Sequence, residues 1–385
     1  MSEGQPLKVK AEALRDFCRR IFERLGVPTE DAMAAADVLV SADLRGVDSH
    51  GVARLRRYVN GLRRGAMKPR PEIRVVRETP VAALLDGDAG LGQVVGVRAM
   101  GLAIEKALRS GVGLVAVRNS NHYGIAGYYA MMALEHDLVG LSMTNASPLV
   151  VPTFGREAVL GTNPISVAVP AGSERPFVLD MATSVVPRGK LEVYARRGER
   201  MPPGWAVDEK GLPTADPRRV LDNVARRRGG GLLPLGGAGE ELGGHKGYGL
   251  SLLVDILCGV LAGAAYGPLT YAGPTPNLGH LFGALRVDLF RPLEEFKADM
   301  DDLIGRLKAS AKAPGRDRIY IHGEKEFEEA ERRRREGIPL HPKVVDNLRE
   351  IGEELGVRFD ALIGKSGGRP PSSAALSSPR GARMP

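Results

Sequence analysis

Cysteine is scarce in this chain, two residues in 385, and aromatic side chains make up only 5%, with a single tryptophan. Two cysteines cannot staple a chain of this length, so a disulfide framework is excluded. Cys18 and Cys258 each fall inside an apolar helical pattern, where a thiol packs as a small hydrophobe, and a reducing cytoplasm is the expected compartment. No apolar run reaches the ~18 residues a membrane span requires. The longest, Leu250 to Tyr266, contains Asp255 and reads as a buried core helix in which Gly259 and Gly263 allow close packing. The opening MSEGQPLKVKAEALRDF lacks an apolar core, so no secretory signal is expected. The seven histidines form no H-x-x-x-H pair and join no cysteine, so no metal is expected. A G-x-S-x-G nucleophile elbow is also absent.

What is present is the make-up of a globular protein of two or three domains, 43% hydrophobic and 26% charged. The net charge of +8 raises the question of a polyanion partner. Half of that excess, Lys365, Arg369, Arg380 and Arg383, lies in the Gly/Pro/Ser-rich tail 364–385, which lacks the apolar content to fold and is expected to be disordered. Arg332 to Arg335 have glutamates on both sides, Glu328, Glu329 and Glu331 before them and Glu336 after, the pattern of a solvated helix face. Neither a nucleic acid nor a membrane is therefore the expected partner.

Leu14, Phe17, Cys18, Ile21 and Phe22 recur at helical spacing before Gly26 and Pro28, and Thr29 is expected to cap a second helix through Val40. Val52, Leu55, Val59 and Leu62 mark a third. From Ile73 onward short β-branched runs (EIRVVRE, VAALLD, GVGLVAV, DLVGLSMTN, ISVAVP, PFVLDMAT) alternate with helical segments, which predicts an α/β region. Loop composition dominates 198–235 and 267–279, and the helix near 294–312 is followed by a short strand, RIYIHG, and two charged helices. The expected division is a helical segment 7–72 that packs with 295–360, around an α/β region 73–294.

Several polar clusters could carry chemistry. Gly90-Leu-Gly92-Gln-Val-Val-Gly96 follows a strand and opens a helix, but Val95 stands where the third glycine of a dinucleotide fingerprint belongs, and Arg118 where its ribose-binding acid belongs. It reads as a tight turn. Asp48-Ser49-His50-Gly51 precedes the third helix, and with His50 in the first turn Arg54 would share its face, with Arg57 a further turn along. A proton donor beside a guanidinium suits reduction of a 2-oxo acid, whose carboxylate the guanidinium can grip bidentately. Asn119 to Gly124, with His122, lies at the carboxyl end of a strand, where ligands collect in α/β sheets. The loops at Thr144, at Thr162-Asn163, at Asp180-Met181-Ala182 and at Gly244-His245-Lys246-Gly247 are further candidates. Lys246 at a helix start would favour phosphate.

Taken in order, DLRGVDSHGVARLRRYV, DGDAGLGQVVG, VAVRNSNHYGIAGYY, PLVVPTFGREAVLGTNPISVAVP, FVLDMATS, GWAVDEKGLPTADP and HKGYGLSLLVDILCGVLAG resemble the type 2 malate/L-lactate dehydrogenase family. That family also holds ureidoglycolate and sulfolactate dehydrogenases, diketogulonate reductase and Δ1-piperideine-2-carboxylate reductase. The resemblance runs from about residue 7 to 360. It implies an α/β, non-Rossmann NAD(P)-binding fold with a helical N- and C-terminal domain. It also implies hydride transfer between NAD or NADP and a small 2-hydroxy or 2-oxo acid, or alternatively a 2-imino acid or ureidoglycolate, and a homodimer or higher assembly.

By the same resemblance, His50 matches the proton donor of diketogulonate reductase-like members and His122 the acid/base of ureidoglycolate dehydrogenase-like ones, and both stay open as the catalytic group. Arg54 matches the carboxylate-binding arginine, and Thr162 and Asn163 are placed beside the substrate. Asp180, Met181, Ala182, His245, Lys246, Gly323 and Glu324 match cofactor contacts. His322 replaces the proline that precedes the last two in the family, and Ala146-Ser147 shifts by one a serine that some members carry at 146.

Overall fold

The structure is a computed structural model that describes residues 6–359, and the basic tail 364–385 lies outside them. A short strand β1 (Leu7–Val9) leads into helices α1 (Ala11–Arg24), α2 (Thr29–Leu44) and α3 (Leu55–Arg63). As the spacing predicts, Leu14, Phe17, Cys18, Ile21 and Phe22 are buried on one face of α1, each contributing about 1.5–3 kcal/mol of transfer free energy. They meet Leu55, Tyr58, Val59 and Leu62 of α3 in a single core.

The strands predicted from Ile73 onward form where expected: β2 (Arg74–Glu78), β3 (Ala82–Asp86), then α4 (Gly92–Ser110), β4 (Val112–Ser120), α5 (Ala126–Met132), β5 (Leu138–Thr144), β6 (Ile165–Val169) and β7 (Phe177–Met181). A smaller apolar cluster gathers α6 (Arg188–Arg197), β8 (Ala206–Val207), α7 (Pro217–Ala225) and β9 (Gly231–Leu232). Helix α8 (Gly244–Asp255) continues into a π-helical turn over Ile256–Val260. Strand β10 (Leu278–Arg286) follows, then α9 (Leu293–Ala309), α10 (Glu324–Glu336), β11 (Ile338–Leu340) and α11 (Pro342–Leu355).

The main sheet has seven strands in the order β2-β3-β4-β10-β5-β6-β7. Only β3 and β4, joined through α4, pair in parallel, and every other neighbour is antiparallel. This single β-α-β unit in a largely antiparallel sheet is not the doubly wound parallel sheet of a Rossmann domain. Strands β1 and β11 pair in a separate ribbon that brings Ile338, Leu340, Val345, Leu348 and Ile351 into the core of α1–α3.

Three expectations are corrected. The central strand β10 is absent from the expected elements, the connection expected at 267–279 overlapping it only at Leu278 and Gly279: a strand covered on both faces shows no alternation, and Gly279, His280 and Gly283 interrupt its apolar run. RIYIHG forms no strand; residues 316–321 run without regular structure. The segment around α8 is not a buried core helix. Within one chain Leu253, Ile256, Val260 and Leu261 are 42%, 44%, 57% and 62% exposed, so the helix presents an uncovered apolar face.

Candidate functional site

His50 sits in a turn ahead of α3, not in its first turn: a 3-10 turn, Val52–Arg54, intervenes. Buried Asp43, near the end of α2, accepts from the backbone N–H of Val52 at 2.8 Å. A Cβ at position 51 would lie 1.9 Å from the Asp43 carboxylate, so this turn requires Gly51. Arg333 donates from Nη1 to the Asp43 carbonyl at 2.6 Å and to Asp48. It is only 7% exposed, so this arginine anchors the turn and is not part of a solvated face. Arg54 folds back, its Nε donating to the carbonyl of Ser49 at 2.7 Å.

The NHYG loop comes from the end of β4. A Cβ at Gly92 would lie 2.1 Å from the carbonyl oxygen of Asn121, so the start of α4 packs directly on this loop. That contact accounts for the glycine there without any phosphate.

The two loops bring His50 and His122 together, with ring centroids 5.6 Å apart and planes 21° from parallel. Nδ1 of His50 is 2.9 Å from the Ser49 hydroxyl, and Nδ1 of His122 is 2.8 Å from the Tyr58 hydroxyl. Both rings therefore have Nε2 left for a ligand. Burial lowers His50 to about 4, helped by Arg54 and Arg57. Burial also lowers His122 well below the usual histidine range, with Arg57, His50 and Arg54 adding to it. Both imidazoles are neutral at pH 7. A third histidine, His280 of β10, is fully buried between Thr144 Oγ1 at 2.7 Å and Ser120 Oγ at 2.8 Å, and burial takes it to about 3.

A cleft of about 500 Å³ opens beside His50 and is walled by Arg45, Thr162, Asp180, Ala182, Gly323 and Lys325, among others. Of the predicted cofactor contacts, Asp180, Ala182 and Gly323 line it. Met181 does not, because successive residues at the end of β7 point to opposite faces. Asp180 accepts from the N–H of Gly127 at 2.7 Å through Oδ2; the protein crowded around its carboxyl pushes it up to about 6, against the opposing pull of that N–H and of Arg45. Glu324 turns away into an ion pair with Lys308 at 2.6 Å and a bond from Ile321 N–H at 3.0 Å. Burial alone would raise its carboxyl, but these partners outweigh that and hold it below the usual range. His245 and Lys246 are exposed at the start of α8, and Lys246 lines a separate hollow with Glu240 and Glu241. The single chain does not bring them to the cleft.

Thr162 reaches the cleft, but Asn163 does not offer its side chain. Its amide is spent on Ala146 N–H at 3.1 Å, Ser251 O at 2.9 Å and Asp255 at 3.1 Å. Asp255 also accepts from Asn145 and from the N–H of Gly267, each at 3.2 Å, a closed buried network with no vacancy for substrate.

Sequence reasoning placed Arg57 beside His50 and Arg54 but missed Tyr58, Tyr271 and Arg45. Tyr58 is four residues after Arg54 on α3, a spacing that could have flagged it. No local signal distinguishes Tyr271, which reaches Arg57 from a distant loop.

A nucleotide cofactor fits this cleft on two counts. Its volume lies in the range such sites occupy. Arg45, half-buried in its wall with the face of Phe327 at 4.7 Å, feels the carboxyls of Glu326 and Asp180 but makes no close ion pair among the described residues, so its guanidinium could take a phosphate. A neutral histidine pair beside arginines and such a cleft on a non-Rossmann sheet suit a nicotinamide-linked hydroxyacid dehydrogenase. The malate/L-lactate dehydrogenase family model matches residues 9–349, and the chain belongs to that family. It is 53% identical to the malate dehydrogenase of Pyrococcus abyssi over 91% of this chain and 96% of that protein. To the L-sulfolactate dehydrogenase of Methanocaldococcus jannaschii it is 42% identical over 92% and 99%. The solved structure of malate dehydrogenase from Pyrococcus horikoshii OT3 superposes with a TM-score of 0.84 at 51% identity, covering 92% and 97% of the two chains.

Proposed function

We propose that His50 and His122, with Arg54, form the reaction centre at which this chain interconverts a 2-hydroxy acid of the malate type and its 2-oxo acid. The chain is an oxidoreductase of small 2-hydroxy acids that works with NAD or NADP. When bound, the cofactor supplies or accepts the hydride. The observation that carries the assignment of residues is the pair of stacked, neutral imidazoles beside a guanidinium with no carboxylate partner among the described residues.

Arg54 keeps the donors of its Nη atoms for a substrate carboxylate and so orients the carbon that reacts. In oxidation, Nε2 of a neutral histidine takes the hydroxyl proton; in reduction the same nitrogen returns it. The hydroxyl of Ser49 can donate to or accept from Nδ1 of His50 and so supports either protonation state, whereas Nδ1 of His122, beside the Tyr58 hydroxyl, also accepts from the backbone N–H of Gly124 at 3.3 Å. Asp180, Ala182 and Gly323, with Arg45, would hold the nucleotide. In this reading the helical segment 7–72 supplies His50 and Arg54, and the α/β region 73–294 supplies His122 and the Asp180 wall.

The uncovered apolar face of α8 and its π turn favours a homodimer. A second copy covering that face is the arrangement in which His245 and Lys246 could still reach a nucleotide. No described helix is long and apolar enough to cross a membrane, and the cytoplasm is the proposed location.

The test is NAD(P)H consumption with a panel of 2-oxo acids, for the parent chain and for His50→Ala and His122→Ala. At least one substitution should lower kcat by about 10²-fold or more, the usual worth of a general acid. If neither does, the assignment falls.

A further inference from the structure

Four successive arginines end α10, and of these Arg332, Arg334 and Arg335 are exposed while Arg333 is buried. The guanidinium of Arg333 makes four bonds. Nε donates to Glu329 one turn back on the same helix, Nη1 to the carbonyl oxygen of Asp43 and to Oδ1 of Asp48, and Nη2 to Oδ2 of Asp48 at 3.3 Å. Three of the four leave the helix, and all three end on the last turn of α2 or the loop just ahead of His50. A planar fork can hold a helix end and a loop carboxylate together, which the point charge of a lysine cannot.

The turn that Arg333 grips is closed by three further bonds. His50 N–H donates to the carbonyl of Val47 at 2.9 Å, Val52 N–H to Asp43 at 2.8 Å, and Nε of Arg54 to the carbonyl of Ser49 at 2.7 Å. None of the residues from Arg45 to His50 is fully buried, so hydrogen bonds more than packing hold this stretch in place. Ser49 and His50 stand in the wall of the cleft, and so do Gly323, Lys325 and Glu326 around the other end of α10. That other end is held independently, by Lys308 on Glu324 at 2.6 Å and by Arg175 on Glu331 at 2.9 Å. Between the two ends Phe327 lies under Arg45, and Ala330 packs into the core that includes α2. From Lys325 to Arg333 the helix rises about 12 Å. It is a short strut with the nucleotide cleft at one end and the His50 turn at the other.

We infer that Arg333 is a positioning residue of the reaction centre: it ties the His50 turn to the helix that walls the cleft, and so sets His50 relative to a bound cofactor. Arg333 lines no part of the cleft itself and acts through Asp48 and the Asp43 carbonyl. A displacement of about 1 Å at a reacting group can cost 10²-fold in rate, and a turn with little packing of its own resists such a displacement only through its tethers. This inference rests on the dehydrogenase reading above and adds a residue to its machinery.

The experiment uses the full chain and whichever 2-oxo acid of the panel the parent reduces fastest. Steady-state NAD(P)H oxidation, nucleotide binding by fluorescence titration and Tm are measured for the parent, Arg333→Met, Arg333→Lys and Arg332→Met. Arg333→Met should lower kcat by about tenfold or more. Its nucleotide Kd should stay within about twofold of the parent's, because Glu324 and Glu331 still hold that end of α10. Arg333→Lys keeps the charge and loses the fork; its kcat should fall between the two, and it carries the test if Arg333→Met does not fold. Arg332→Met, whose partners Glu329 and Glu336 lie on its own helix, should change neither quantity. A double-mutant cycle separates positioning from general support of the fold: in a His50→Ala background Arg333→Met should cost less than about twofold more, since the group it positions is gone. An undiminished fall in that background, an unchanged kcat in the folded variants, or a nucleotide Kd weakened as much as kcat overturns the inference and leaves the dehydrogenase reading standing. Absence of turnover of every acid in the panel by the parent, with either nucleotide, overturns both.

Discussion

The hydroxyl of Tyr58 lies 2.8 Å from Nδ1 of His122, and Tyr58 itself is fully buried. One turn of α3 thus sets the orientation of a histidine delivered by a loop sixty-four positions away in the chain. Tyr58→Phe removes that bond and nothing of the ring. It should lower kcat by about tenfold, the scale of one lost hydrogen bond to a reacting group, with little change in KM. A fall confined to KM would place Tyr58 in substrate binding and not in orienting the imidazole.

The depressed histidines carry a pH signature. Oxidation needs a neutral imidazole, and kcat/KM reports the free enzyme. An ordinary histidine would lose its neutral form below pH 6.5. His50, taken to about 4 by burial with help from Arg54 and Arg57, keeps it further into acid. Between pH 5 and 8, kcat/KM for 2-hydroxy acid oxidation should therefore show no acid limb near 6.5. Finding one there would mean that the titrating base is neither of these rings.

Asp43 predicts a change in stability, not in rate. Burial pushes its carboxyl up to about 8, against the bond from Val52 N–H and the charge of Arg333, while Asp48 raises it further. The folded protein therefore keeps a proton that the unfolded chain releases near 3.9, and stability contributed at this site is lost as pH rises between those values, by up to about 1.4 kcal/mol per pH unit. Asp43→Asn retains an acceptor for Val52 and cannot ionise. The Tm of the variant relative to the parent should rise from pH 5 to pH 8. A relative Tm that stays flat or falls would show that Asp43 is ionised in the folded state.

Asn163 separates a structural role from a substrate-binding one. Asn163→Ala leaves the N–H of Ala146, the carbonyl of Ser251 and one oxygen of Asp255 short of partners. Buried groups left unpaired cost about 1–3 kcal/mol each, so Tm should drop by several degrees. A variant with normal Tm and raised KM would instead return this side chain to the substrate.

Much of this was legible in the residues themselves. The faces of α1 and α3, the strands from β2 to β7 and the motif segments holding His50, Arg54 and His122 all follow from local spacing or from a pattern held in register along the chain. Asp180 and Ala182 reached the cleft as their segment suggested, while Met181 turned the other way and Glu324 was consumed by Lys308. What escaped was β10, whose buried run has no alternation, and the exposure of α8, since apolar content alone does not say whether one chain or two will cover it.

The sequence by itself determined the periodic elements, the family and the short loops that bear polar side chains, because these depend on neighbours a few positions apart. Only the tertiary structure decided which polar groups remain free. Asn163 and Arg333 look as available as Arg54 and Arg57 in one dimension. Distant carboxylates and carbonyls occupy the first two and leave the second two facing a pair of neutral histidines. Whether a charge is satisfied depends on partners that folding brings from anywhere in the chain, and no local pattern encodes them.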